Sequence, residues 1–126
     1  MNTTALDLTT DTIDVRDIIA RVEDIETAIE EPNATRDDIA EYATLRTILN
    51  ELKGYGGDEQ WRGDWYPITL IRDSYFVRYA SQLCMDIGDI PENLLSYIEI
   101  DWDATARNIR VDYTPVEIDG STYWYR

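Results

Sequence analysis

Carboxylates dominate the chemistry available to this chain: 26 Asp and Glu stand against 11 Lys and Arg, with no His and one cysteine, Cys84. Without His, Ser-His-Asp and Cys-His nucleophilic sites cannot be built, nor can His-ligated zinc or iron centres. A single cysteine excludes an intramolecular disulfide and any CxxC site, and it suits a reducing compartment. Cys84 sits in the middle of an apolar helical pattern and is read as a packing residue. Paired carboxylates remain. Asp101 with Asp103, or Glu117 with Asp119, have the residue types of a glycosidase acid and nucleophile. With so many acids, however, close pairs arise by chance, and nothing in the sequence marks a pocket around them. Residues 101–112 have the length of a calcium loop, but Ala106 stands where that loop needs Gly and Asp112 where it needs Glu. Asp101 is therefore read as a helix cap. The sequence assigns no catalytic residue, no metal ligand and no cofactor, and it reads as a non-enzyme.

The charge itself is the stronger signal. The formal net charge is −15 at pH 7, which argues against nucleic acid, a phosphorylated substrate or an anionic membrane as a direct ligand. It favours a basic protein partner. The acidity is not a tail: residues 1–53 hold 13 acids and 5 bases, and residues 54–126 hold 13 acids and 6 bases. Helical acidic faces usually interleave Lys four residues on to relieve repulsion, yet Lys53 is the only lysine. Acids three or four positions apart on a helix stand about 5–6 Å from one another, comparable to phosphates along a DNA strand. On the scale of one charge per ~1.7 Å of duplex, −15 equals roughly 7 or 8 base pairs. The candidate charges on the first half are Glu23, Asp24, Glu26, Glu30, Glu31, Asp37, Asp38 and Glu41. No apolar run approaches the length of a membrane span, and the opening MNTTALDLTTD lacks a secretory pattern, so a cytoplasmic protein is expected.

These residues need elements to position them. At 126 residues the chain has the length of one ordinary domain, but its composition divides at Lys53. Of 14 aromatic residues only Tyr42 precedes Gly54. Residues 1–12, rich in Thr and Asp, read as a mobile lead-in. Residues 13–53 read as an antiparallel helical hairpin. Val15, Ile18, Val22, Ile25 and Ile29 follow an alternating 3,4 spacing widened by Ile19, and Ile39, Tyr42, Leu45, Leu49 and Leu52 with Ile48 form the facing stripe. Asp14 is the expected N-cap of the first helix, Pro32 ends it, Thr35 and Asp38 form a capping box for the second, and Gly54 stops that one. Residues 54–126 read as a small α+β domain ending in a β-hairpin, giving an α+β fold overall.

Within that domain, Trp65 to Ile71 suggests an extended segment. A helix capped by Asp73 or Ser74 should run to about Ile87 and bury Tyr75, Phe76, Tyr79, Leu83 and Ile87, with Gly88 at its C′ position. Pro91 to Leu95 suggests a turn of helix, Tyr97 to Ile100 an extended stretch, and Trp102 to Arg110 a helix with Trp102, Ala106 and Ile109 inward. Val111 to Ile118 and Ser121 to Arg126, joined by Asp119-Gly120, spell a hairpin on a type I′ turn. Tyr55, Trp61, Trp65 and Tyr66 form an aromatic cluster near the glycine-rich joint, suited to core packing or to an interface.

Part of the second half also resembles a known family. The series Tyr79-Ala80, Asp86-Ile87-Gly88-Asp89-Ile90-Pro91, Leu94 to Ile100, Asp101-Trp102, Ala106-Arg107-Asn108-Ile109 and Asp112-Tyr113-Thr114 through Asp119-Gly120-Ser121-Thr122-Tyr123-Trp124 is similar to the carboxy-terminal part of the ArdA antirestriction proteins, over residues 73–126. The resemblance implies an acidic DNA mimic of phages and mobile elements that occupies the basic DNA-binding groove of a host defence enzyme, a type I restriction–modification enzyme above all. It implies a homodimer, with Pro91, Leu94, Leu95, Tyr97 and Ile98 as dimer or partner residues, and it adds Asp86, Asp89, Glu92, Glu99, Asp101 and Asp103 to the mimic charges. A phage-encoded copy would act in the host cytoplasm. The helical hairpin departs from the further α/β domains usual before this part in the family, so the target can differ, a CRISPR effector included. The alternative is a coiled-coil interaction adaptor whose acidity serves only solubility.

Overall fold

The computed structural model describes residues 5–87 and 99–126. Strand β1 (Thr12–Asp14) leads into helix α1 (Val15–Glu30) and helix α2 (Arg36–Leu52). The capping expectations hold in detail. The Asp14 side chain accepts from the Arg16 N–H, and Thr35 and Asp38 close a reciprocal capping box, so each helix has backbone donors satisfied at its start. Gly54 follows α2 at φ +87°, a conformation that L side chains avoid.

After the joint, β2 (Asp58–Trp61) and β3 (Asp64–Tyr66) form a two-stranded ribbon, followed by β4 (Thr69–Arg72). A 3₁₀ turn (Asp73–Tyr75) enters α3 (Phe76–Asp86), and α4 (Trp102–Arg110), β5 (Thr114–Ile118) and β6 (Ser121–Tyr125) complete the described chain. The β5–β6 turn carries positive φ at both Asp119 and Gly120, as a type I′ turn requires. The first strand of that hairpin begins at Thr114, later than Val111, because Val111 and Asp112 are spent closing α4. The expected helical turn at Pro91–Leu95, Gly88 and the first half of the extension expected at Tyr97–Ile100 lie outside the described residues, and Glu99 and Ile100 belong to no strand.

Strands β1, β4, β6 and β5 form one antiparallel sheet in that order. Its alternation assigns the two faces. Leu70, Tyr123 and Tyr125 face the helical hairpin, sharing a core with Val15, Ile18, Val22, Leu45, Leu49 and Leu52. Ile71 and Trp124, their neighbours in sequence, face the other way and pack with Phe76, Ala80 and Ala106. The sheet is thus sandwiched between α1/α2 and α3/α4. The core does not divide where the composition does: the first half supplies the aliphatic side of an interface whose aromatic side comes from the second.

Residues 5–12 are not a loose lead-in. Leu6 and Leu8 pack on the main core, and the Leu6 N–H donates to Glu41. The fully buried Tyr123 places its hydroxyl 2.8 Å from the carbonyls of Leu8 and Thr10. Arg72 donates through its backbone to Asp11 and through its guanidinium to Thr9. The burial pattern also departs from expectation at three stripe ends. Ile29 and Ile39 are 43% and 54% exposed, and neither belongs to the core that the hairpin shares with the sheet. Ile87, expected inward, is 62% exposed, while Ala80 and Cys84 take the buried positions on α3. Asp73 does not cap α3; its carboxylate is engaged by Trp124 and Arg110 instead.

Candidate functional site

The acids divide into those that hold the fold and those that face solvent. Arg21, in the middle of α1, is almost fully buried against α2. Its guanidinium donates to Glu41 at 2.8 and 3.1 Å and to Asp38 at 3.3 Å. Hydrogen bonding to Glu41 stabilises the guanidinium and raises its already high pKa. Asp38 is held below the ordinary carboxylate value, first by the Thr35 backbone N–H and then by the Thr35 hydroxyl and Arg21. Glu26 is half-buried, so desolvation works against its charge. Tyr42 at 2.8 Å, Arg62 at 2.7 and 2.8 Å and Arg46 at 3.7 Å outweigh that effect, and its pKa is lowered. Glu26, Asp38 and Glu41, all expected as mimic charges, are therefore committed to structural pairs. Asp101 is also partly spent, as its side chain caps α4 through the Ala104 N–H.

The others remain outward. Glu23, Asp24, Glu30, Glu31 and Asp37 on the hairpin, and Asp86, Glu99 and Asp103 beyond it, are exposed and form no ion pair among the described residues. Asp89 and Glu92, with the dimer candidates Pro91, Leu94, Leu95, Tyr97 and Ile98, lie outside the described residues. Helix geometry orders the hairpin acids into rows. Exposed Asp17 and Asp24 on α1 and Glu31 at its C-cap recur every seven residues, as do Glu23 and Glu30 on the helix. Seven residues rise ~10.5 Å, close to three base-pair steps of ~3.4 Å. Because Arg21 locks α1 to α2, the rows sit on a framework whose two helices cannot slide independently.

Sequence spacing alone did not separate the two classes. The signal that could have done so was the basic residues: Arg21 falls on the apolar stripe of α1, where a charge must find a partner. The β2–β3 ribbon was also missed as a ribbon. Its turn, Arg62-Gly63, has positive φ at both positions, and Gly63 between two short polar–aromatic runs was the available cue. Of the aromatic cluster, Tyr66 is buried and Trp61 half-buried, whereas Tyr55 and Trp65 are 57% and 52% exposed. Of the two carboxylate pairs with glycosidase residue types, one member of each has a local partner, Glu117 accepting from Thr122 and Asp101 capping α4.

Comparison with protein families, with curated proteins and with solved structures finds no match for this chain.

Proposed function

We propose that this protein is an acidic DNA mimic that inhibits a host DNA-targeting defence enzyme, most directly a type I restriction–modification enzyme, by occupying its basic DNA-binding groove. The observation that carries the reading is the row of unpaired, exposed acids on a braced helical hairpin, in a chain of net charge −15. Such a surface is repelled by nucleic acid and attracted to the proteins that bind it. A homodimer would double the charge and lengthen the acidic face, and the resemblance over residues 73–126 points the same way.

The interaction-adaptor reading has one observation in its favour, the exposed Ile29 and Ile39 at the hairpin tip. The two readings differ in which residues matter. Under mimicry, neutralising Glu23, Asp24, Glu30 and Glu31 to their amides weakens inhibition step by step, by up to about fivefold per carboxylate, the scale of an exposed ion pair. Replacing Ile29 and Ile39 with Ser leaves inhibition intact. Under the adaptor reading the sensitivities reverse, so inhibition assays on the two sets of variants decide between them.

A further inference from the structure

Three arginines of this chain lie between a carboxylate and an aromatic face; Arg46, 3.7 Å from Glu26, has its guanidinium 5.4 Å from the Trp61 ring and 5.8 Å from the Tyr42 ring. The Arg62 guanidinium lies 4.1 Å from the Trp61 ring centroid while donating to both oxygens of Glu26. Arg110 lies 5.4 Å from the Trp124 ring and 5.1 Å from the Phe76 ring while donating to Asp73. The geometry suits a planar cation that stacks and donates in-plane at once.

A third carboxylate–indole pair has no arginine. In the β2–β3 ribbon Glu59 is directly opposite Trp65, and cross-strand partners share a face with Cβ atoms ~4.5–5.5 Å apart. Their neighbours Asp58 and Tyr66 pair on the opposite face, where Tyr66 is buried. The Glu59–Trp65 pair therefore faces solvent, and Trp65 is 52% exposed. No guanidinium covers it among the described residues, and the remaining residues, 1–4 and 88–98, contain neither Arg nor Lys. Exposed Tyr55, whose preceding residue Gly54 donates its N–H to the Trp65 carbonyl, adds apolar surface beside the same strand.

We propose that Glu59 and Trp65 form a receptor for an arginine side chain presented by a basic protein partner. This rests on the reading that the partner is basic, and it deepens that reading by adding an aromatic anchor to a surface otherwise described by its acids. The partner arginine stacks on the Trp65 indole and donates to the Glu59 carboxylate, as Arg62 does with Trp61 and Glu26. A lysine, with a compact, strongly hydrated charge and no planar face, is a poorer fit.

The test uses labelled oligo-arginine and oligo-lysine peptides of equal length, titrated with the full chain by fluorescence anisotropy at physiological ionic strength. The expected result is about two- to fivefold tighter binding of oligo-arginine, the scale of an exposed cation–π contact. Trp65→Leu keeps apolar bulk but removes the π face and should abolish that preference, as should Glu59→Gln. Asp24→Asn, which removes equal charge elsewhere, should weaken both peptides and leave the preference. Equal binding of the two peptides, or a preference that survives Trp65→Leu in a folded protein, overturns the proposal. So does sedimentation in which Trp65→Leu dissolves a self-associated species, since a second copy would then be the occupant. Loss of the DNA-mimic reading looks different: the arginine preference persists while duplex is not displaced from a defence enzyme.

Discussion

Replacing Arg21 with Met tests whether one buried guanidinium braces the hairpin that displays the acids. The side chain is 7% exposed, and its partner Glu41 is 15% exposed. Methionine fills a similar volume but leaves the Glu41 carboxylate with only the Leu6 N–H from its former set. Breaking a fully buried ion pair costs roughly 3–5 kcal/mol. Because Glu41 keeps some of its water, about 2 kcal/mol is expected at neutral pH. With ~2.1 cal/mol/K per residue of unfolding entropy, that lowers Tm by roughly 8 °C. The sign of the pH dependence is fixed by the chemistry. Arg21 is one of the groups that hold Asp38 below the ordinary carboxylate value, so the penalty of removing it shrinks as pH falls from 7 through the range in which Asp38 takes up its proton. The depressed pKa of Asp38 contributes stability that is present above the ordinary carboxylate value and lost as pH falls through the folded one. Urea unfolding of wild type and variant at both ends of that range measures the difference. Replacing Glu41 with Leu in the same chain should recover part of the loss, leaving the Leu6 N–H unsatisfied. A penalty under about 0.5 kcal/mol at pH 7, or one that does not diminish in acid, would refute the brace.

Further outcomes follow from individual contacts. Asp73→Asn keeps an acceptor for Trp124 but loses the charge that pairs with Arg110, so about 1 kcal/mol should be lost at pH 7 in thermal unfolding. The wild-type Asp73 is held below its ordinary value, first by the Trp124 N–H and then by Arg110. Its contribution therefore fades as pH drops through that lowered value, and the variant's acid branch should be flatter. Gly57→Ala would place a Cβ onto the Tyr66 carbonyl at φ +65° and should cost about 3 kcal/mol, whereas Gly63→Ala, at φ +78° in open space, should cost about 1 kcal/mol. At the hairpin tip Ile39→Ser should cost under about 0.5 kcal/mol, while Leu45→Ala in the core should cost about 2–4 kcal/mol, both by chemical denaturation.

Local signals carried most of the element assignment. Asp14, Thr35 with Asp38, and Asp119-Gly120 each act within a few residues, and each does in the structure what its local chemistry dictates. What remained hidden depends on contacts distant in sequence. Nothing local shows that Leu8 and Thr10 will receive the Tyr123 hydroxyl, more than a hundred residues away. Nor does the apolar stripe show that its ends, Ile29 and Ile39, stay exposed. Composition obscures the sharing of one sheet by both halves, because the aliphatic and aromatic surfaces resemble separate units although they complete each other. For the candidate site, spacing found acids on helix faces, but only the position of Arg21 and the fold of the β2–β3 ribbon separate Glu26, Asp38 and Glu41 from the outward-facing acids.

The most direct test of mimicry is displacement of labelled duplex from a purified type I methyltransferase by this protein, followed across a series of salt concentrations. The account predicts stoichiometric displacement at low salt that weakens steeply as salt rises, with a shallower slope when Glu23, Asp24, Glu30 and Glu31 are neutralised. Duplex that stays bound at low salt in the presence of excess folded protein, or displacement indifferent to those four charges, would contradict it.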